Sequence, residues 1–150
     1  MPVQLVTGNI LDVEGVLLVH ICNTTTKTSK GLAKDIFTKY PWANTYDSGV
    51  KRNVGNITYH FAEADADVVI VNLYGQNKPG KPNKTETAAN RLEWFKSGLS
   101  QIREVFLGTT IAVPYKIGCG LAGGNWDDYL AALEEHSRLS GGDVIVHKLE

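Results

Sequence analysis

Ile117-Gly118-Cys119-Gly120-Leu121-Ala122-Gly123-Gly124-Asn125-Trp126 places four glycines within the seven residues 118 to 124. The stretch follows an apolar run, Thr110-Ile111-Ala112-Val113-Pro114, and precedes a helical pattern that starts at Trp126. Strand, glycine loop and helix in that order aim backbone N–H groups and the positive end of a helix at an anion. Glycine suits such a loop because side chains would keep a phosphate away from the main chain. The composition is shared with flexible turns, but the clustering at a strand-to-helix corner predicts a phosphate-binding loop. It does not by itself name the ligand.

Outward from this corner, short branched apolar runs alternate with helical patterns. Residues 3–6, 16–22, 56–61, 68–73, 109–113 and 143–147 read as strands. The runs Val16 to Cys22 and Val68 to Leu73 are apolar on both faces, the mark of strands covered above and below. Helices are predicted over 31–40, where Leu32, Ile36 and Tyr40 form a stripe before Pro41, and over 85–106, where Leu92, Phe95, Leu99, Ile102 and Phe106 recur three or four apart. The second of these has Asn83 and Glu86 as its expected cap. A third helix, 126–139, is capped by Asn125 and stopped by Gly141-Gly142. The expectation is a single domain over 1–150: an α/β, three-layer α/β/α fold with a mixed, mostly parallel six-stranded sheet. Ligands of such sheets sit at the carboxyl ends of the strands, which directs attention to the loops after Cys22, Leu73 and Val113. The loop 76–84, rich in Lys, Pro and Asn, reads as mobile.

The chain has 150 residues, 43% of them hydrophobic, enough for one core. Fifteen basic and 16 acidic residues give a net charge of −1, which argues against a broad nucleic-acid footprint. Cys22 and Cys119 lie far apart, with no metal-like or redox-like spacing, and read as reduced thiols of a cytoplasmic protein. No apolar stretch is long enough for a membrane span, and Met1 to Leu5 has no signal-peptide character. No metal and no cofactor are implied, because neither HExxH nor a metal-like Cys cluster is present.

Several residues stand where the predicted strands end. Thr7-Gly8-Asn9-Ile10-Leu11 closes the first strand, and an exposed Asn there suits the edge of a base. His20-Ile21-Cys22-Asn23 ends the second strand, with Asn23 toward the crevice and His20 three residues behind it. A histidine on an apolar strand is usually a satisfied core residue, yet this one lies beneath the crevice. Ser29-Lys30-Gly31-Leu32-Ala33 makes a second helix start able to receive an anion. Two such starts facing one crevice suit a pyrophosphate. His60 falls in the third strand, His136 on the exposed side of its helix, and His147 at the end of the last strand, where it suits stacking on a base.

Together these segments resemble the macro domain superfamily over nearly the whole chain. Gly8-Asn9-Ile10-Leu11, His20-Ile21-Cys22-Asn23, Gly31-Leu32-Ala33 with Phe37 and Lys39-Tyr40-Pro41, Asn72-Leu73-Tyr74-Gly75-Gln76, and Ile117 to Trp126 follow in the family's order. The closest pattern is that of the small phosphatases acting on ADP-ribose-1''-phosphate. The resemblance implies ADP-ribose or its 1''-phosphate as ligand; charge and hydropathy lead us to expect no nucleic-acid or membrane partner, and a monomer is expected. It implies contacts from Gly8, Asn9, Ile10, Asn23, Gly31, Leu32, Ala33, Tyr74, Gln76, Ile117, Gly118, Cys119, Gly120, Leu121, Ala122 and His147, with His20 and Asn23 as catalytic candidates. Macro domains that remove ADP-ribose from protein or DNA also resemble this chain. They carry a lysine after the fourth strand and an aspartate in the second loop, where this chain has Gln76 and Ala122, with Lys78 as the substitute lysine. A phosphatase, a binding module without turnover, and a de-ADP-ribosylating hydrolase are the three readings.

Overall fold

In the computed structural model, which describes residues 3–62, 65–120 and 122–149, the branched apolar runs become six strands. These are β1 (Val3–Thr7), β2 (Val16–Asn23), β3 (Ile57–Ala62), β4 (Asp65–Gln76), β5 (Ile111–Pro114) and β6 (Val144–Lys148). The 3.6-residue patterns become α1 (Gly31–Lys39), α2 (Ala88–Val105) and α3 (Trp126–Ser140). Strand order is β1-β6-β5-β2-β4-β3. Only β3, which precedes β4 closely in the chain, pairs antiparallel; the other pairings are parallel. The mixed, mostly parallel α/β sheet expected from the alternation is therefore present.

Side-chain alternation divides the interior in two. From β2, Leu17 and Val19 join Phe95, Leu99 and Ile102 of α2 and Tyr129 and Leu133 of α3. Leu18 and Cys22 point the other way, to Ala33, Ile36 and Phe37 of α1. Helices thus cover both faces, which is why β2 and β4 read as unbroken apolar runs. Among the described residues no helix is long and apolar enough to cross a membrane.

Helix ends depart from expectation once. Thr87, not Asn83, caps α2: its Oγ1 accepts from Asn90 N at 3.1 Å, and Asn90 Oδ1 accepts from Thr87 N at 3.0 Å. Asn83 Oδ1 instead closes the preceding turn through Thr85 N and Glu86 N. Helix α3 begins as expected, with Asn125 Oδ1 accepting from Asp127 N at 2.9 Å, and ends at Gly141 with φ 79°. His136 is 1% exposed rather than on a solvent face, and Arg103 Nη1 donates to its Nδ1 at 3.1 Å. A cation from the neighbouring helix turns that position into a satisfied buried site.

Candidate functional site

A cleft of about 550 Å³ opens at the carboxyl ends of β2, β4 and β5. Its walls are the loop after β2 with the head of α1, the segment after β4, and the glycine loop after β5. His20, Asn23, Leu32, Ala33, Gln76, Ile117, Gly118, Cys119, Gly120 and Ala122 all line it.

Main-chain amides dominate its chemistry. Lys30 occupies the cap position of α1 without a side-chain hydrogen bond to the helix. The N–H groups of Gly31, Leu32 and Ala33 have no acceptor among the described residues, and Lys34 N is the first to bond back, to Lys30 O at 3.4 Å. The glycine loop spends its amides selectively. Those of Ile117, Cys119, Gly123 and Gly124 donate to Pro114, Lys116, Gly120 and Gly118 carbonyls at 2.9–3.1 Å. Those of Gly118, Gly120 and Ala122 have no acceptor among the described residues. Main-chain donors rarely stay unpaired in a folded protein, so two sets facing one cleft call for water or an anion. Lys30 and Lys116 add positive charge to the lining, and no Asp or Glu is among its described residues.

The loop glycines have separate duties. Gly118 has φ 75°, and a Cβ there would sit 2.5 Å from the Tyr129 ring. Gly118→Ala is expected to destabilise the fold by about 2 kcal/mol, read as a lower urea midpoint with an unchanged slope. A Cβ on Gly120 would meet no protein atom within 4 Å. The space beside Gly120, which lines the cleft, is open.

His20 lies at the cleft floor, 1% exposed and opposite Asn72 in the β2–β4 register. Asn72 Nδ2 donates to Ala43 O at 2.8 Å, which leaves Oδ1 to accept from His20 Nε2–H at 2.6 Å. Phe37 packs edge-on against the imidazole. Burial lowers its pKa to about 4, outweighing the Asn72 hydrogen bond. A neutral imidazole with its Nε2–H on Asn72 disfavours the proton-donor role. His20 lies in the cleft lining, held from below by Asn72.

Asn23 is held just as firmly. Its N–H donates to Tyr46 Oη at 2.9 Å, and its carbonyl accepts from Arg52 Nη1 at 3.1 Å. Oδ1 accepts from Thr25 N, Thr26 N and Thr26 Oγ1 at 3.0–3.1 Å. With the oxygen saturated, Asn23 has only its NH₂ left for a ligand and is a donor, not a base.

Comparison with known proteins follows this geometry. No protein-family model matches the chain, and no curated protein matches it in sequence. Among solved structures it is similar to the macrodomain of Mycobacterium tuberculosis DarG, with TM-score 0.74 and 20% identity over 97% of this chain and 96% of that one. It is also similar to Thermosipho africanus DarTG in complex with ADP-ribose (0.73, 18%, 97% of this chain and 41% of that one). A third likeness is to the Trypanosoma brucei macrodomain in complex with ADP-ribose (0.69, 12%, 99% and 63%). This is the macrodomain fold.

Other expected contacts lie elsewhere on the fold. Gly8, Asn9 and His147 sit at the carboxyl ends of β1 and β6, along the same sheet edge but outside the cleft lining. Asn9 Oδ1 caps a 3₁₀ turn by accepting from Leu11 N at 2.9 Å. Ile10 is 5% exposed and packs in the α1-side core. Tyr74 is buried too. It is 1% exposed, and its hydroxyl pairs with Thr45 Oγ1 at 2.7 Å and Thr58 Oγ1 at 2.8 Å. Gln76 Nε2 donates to Lys78 O at 3.2 Å. Gly31 heads α1, and Leu121 lies outside the described residues. Among the described residues no three His, Cys, Asp or Glu side chains group as metal ligands would.

Reading the sequence missed two site residues. Glu86 and Arg91 are 5% and 2% exposed and form an ion pair of 2.8 Å behind the cleft. Glu86 accepts from Asn77 N at 3.0 Å and Lys78 N at 3.1 Å, so the segment expected to be mobile is anchored there. Their positions near the start of a helix resemble ordinary solvated charges, and no local pattern distinguishes them.

Proposed function

We propose that the cleft binds ADP-ribose, gripped chiefly by main-chain amides. The observation that carries this is that unspent N–H groups at 32–33 and at 118, 120 and 122 belong to residues lining one cleft, with two lysines beside them. Such donors suit a diphosphate, whose charge is spread over several oxygens. Two structures similar in fold contain ADP-ribose. In this reading the diphosphate lies along Gly118 to Ala122, and the distal ribose lies near Asn23 and the head of α1. The adenosine extends toward Asn9 and His147. The 150-residue chain works as one domain and as a monomer in the cytoplasm, with no cofactor and no nucleic acid.

Hydrolysis of ADP-ribose-1''-phosphate is the second reading, favoured by Lys30 beside the uncapped amides of α1. That corner offers a terminal phosphate its own grip, apart from the diphosphate loop. Water would attack phosphorus as the bond to the ribose oxygen breaks, and the released oxygen would take its proton from solvent rather than from His20. Amides and Lys30 would stabilise charge on the phosphoryl oxygens. The de-ADP-ribosylating reading has less support. Gln76 and Ala122 stand in place of a lysine and an aspartate, and Lys78 is outside the cleft lining.

Calorimetry is expected to show ADP-ribose binding at least about tenfold tighter than AMP. No heat at millimolar ADP-ribose would end the proposal. Incubation with the 1''-phosphate separates the two readings, since capture without released phosphate leaves a binding module. Lys30→Ala is expected to weaken the 1''-phosphate about three- to tenfold more than ADP-ribose itself. Equal losses for both ligands would remove the terminal-phosphate corner.

A further inference from the structure

We infer that Arg91, held by Glu86, is a positioning residue that sets the spacing of the loops on either side of the ligand cleft. The inference rests on the proposed binding of ADP-ribose there. Arg91 is not itself part of the cleft lining; from behind, it bonds the carbonyls of Gly80 and Ala122, which are. Nε donates to Glu86 Oε2 at 2.8 Å, Nη1 to Gly80 O at 2.7 Å and to Ala122 O at 2.9 Å, and Nη2 to Lys78 O at 3.0 Å. One guanidinium therefore bonds the carbonyls of both facing loops, and two of those bonds leave the same nitrogen.

Glu86 completes the clamp from the other side, because its carboxylate takes the amides of Asn77 and Lys78. Asn77 extends it to the loop after β2. Its carbonyl accepts from Thr24 N at 3.3 Å and Thr25 Oγ1 at 2.8 Å, and its side-chain oxygen pairs with Thr24 Oγ1. The facing loops also touch directly, since a Cβ on Gly123 would lie 2.6 Å from Pro82. All three walls of the cleft are thus tied to one buried ion pair.

The bond to Ala122 O has a specific consequence for the glycine loop. The peptide joining Ala122 to Gly123 has its carbonyl on Arg91 and its N–H on Gly120 O at 3.0 Å. Both of its polar groups are spent, so its plane is locked. The loop then holds one shape in which the amides of Gly118, Gly120 and Ala122 remain open. A preorganised set of donors binds an anion without an ordering cost, and a loosened set does not. Lysine cannot replace this arrangement, because an ammonium lacks the planar fork that spans two loops.

Arg91→Lys tests the inference because it retains the charge beside Glu86 and removes the fork. Exchange of backbone hydrogens, followed by mass spectrometry, is expected to speed up in residues 77–80 and 118–124 together. ADP-ribose affinity, measured where the variant is folded, is expected to fall by at least about tenfold. Ile102→Ala, a core change in the same helix, is expected to lower stability and leave both readouts unchanged. Should Arg91→Lys fail to fold, Glu86→Gln is read the same way, with faster exchange in both segments and at least about threefold weaker binding. Binding within about twofold of the parent, or exchange that changes in one loop alone, overturns the inference. If the parent itself fails to bind ADP-ribose, the functional reading falls, and the exchange measurement still decides whether Arg91 couples the loops.

Discussion

Replacing Gly120 with valine is expected to abolish ADP-ribose binding and leave the fold intact. Gly120 lines the cleft and does not occupy the left-handed region, so a branched side chain meets no backbone penalty there. A Cβ at this position contacts no protein atom within 4 Å beyond its chain neighbours, which leaves the added carbons in the open space where the proposed ligand would lay its diphosphate. The loss should reach at least about 100-fold, or about 2.7 kcal/mol, because the ligand must move off its amide donors as well as avoid the methyl groups. The melting temperature should stay within about 2 °C of the parent. Gly118→Ala behaves in the opposite way, since its cost falls on the Tyr129 ring and on a φ of 75°. Calorimetry and thermal melts on the two variants separate ligand space from fold space. A valine variant that binds like the parent would place the diphosphate elsewhere.

The second large effect is acid instability. His20 and His136 are each 1% exposed, and burial is the first cause lowering each pKa from 6.5 to about 4. For His136 the Arg103 guanidinium lowers it further. Between those values the unfolded chain takes up protons that the folded chain refuses. Stability is therefore complete above about pH 6.5 and falls as pH drops toward 4, by roughly 1.4 kcal/mol per pH unit for each histidine. By pH 4 the loss is about 3 kcal/mol for each, a large part of the 5–15 kcal/mol that holds an ordinary domain together. Urea unfolding at a series of pH values should show this slope before most carboxylates begin to titrate. A flat profile from pH 7 to 4.5 would mean that both rings are protonated in the folded protein.

These effects differ in how far they could be read from residue order alone. The glycine loop declares itself because four glycines in seven residues satisfy a local steric demand. His20 was equally visible on its strand, but its chemistry was not. Its tautomer depends on Asn72, 52 residues away, whose own NH₂ is spent on Ala43. Ile10 and Tyr74 fall in segments of the right composition, and only the packing of α1 and the hydroxyls of Thr45 and Thr58 show that they face inward. Arg91 resembles a solvated helix charge until Gly80 and Ala122, 11 and 31 residues away, are brought to it.

By itself the order of residues determined where strands and helices form, that the sheet is covered on both faces, and that two glycine-bearing corners stand at strand-to-helix junctions. Each of these follows from short-range periodicity and from what a Cβ permits. Which polar groups are buried and satisfied, which amides stay unspent, and which charge stands behind the cleft were decided only in three dimensions. Hydrogen-bond partners and desolvation belong to neighbours in space, and those neighbours are set by the packing of distant segments.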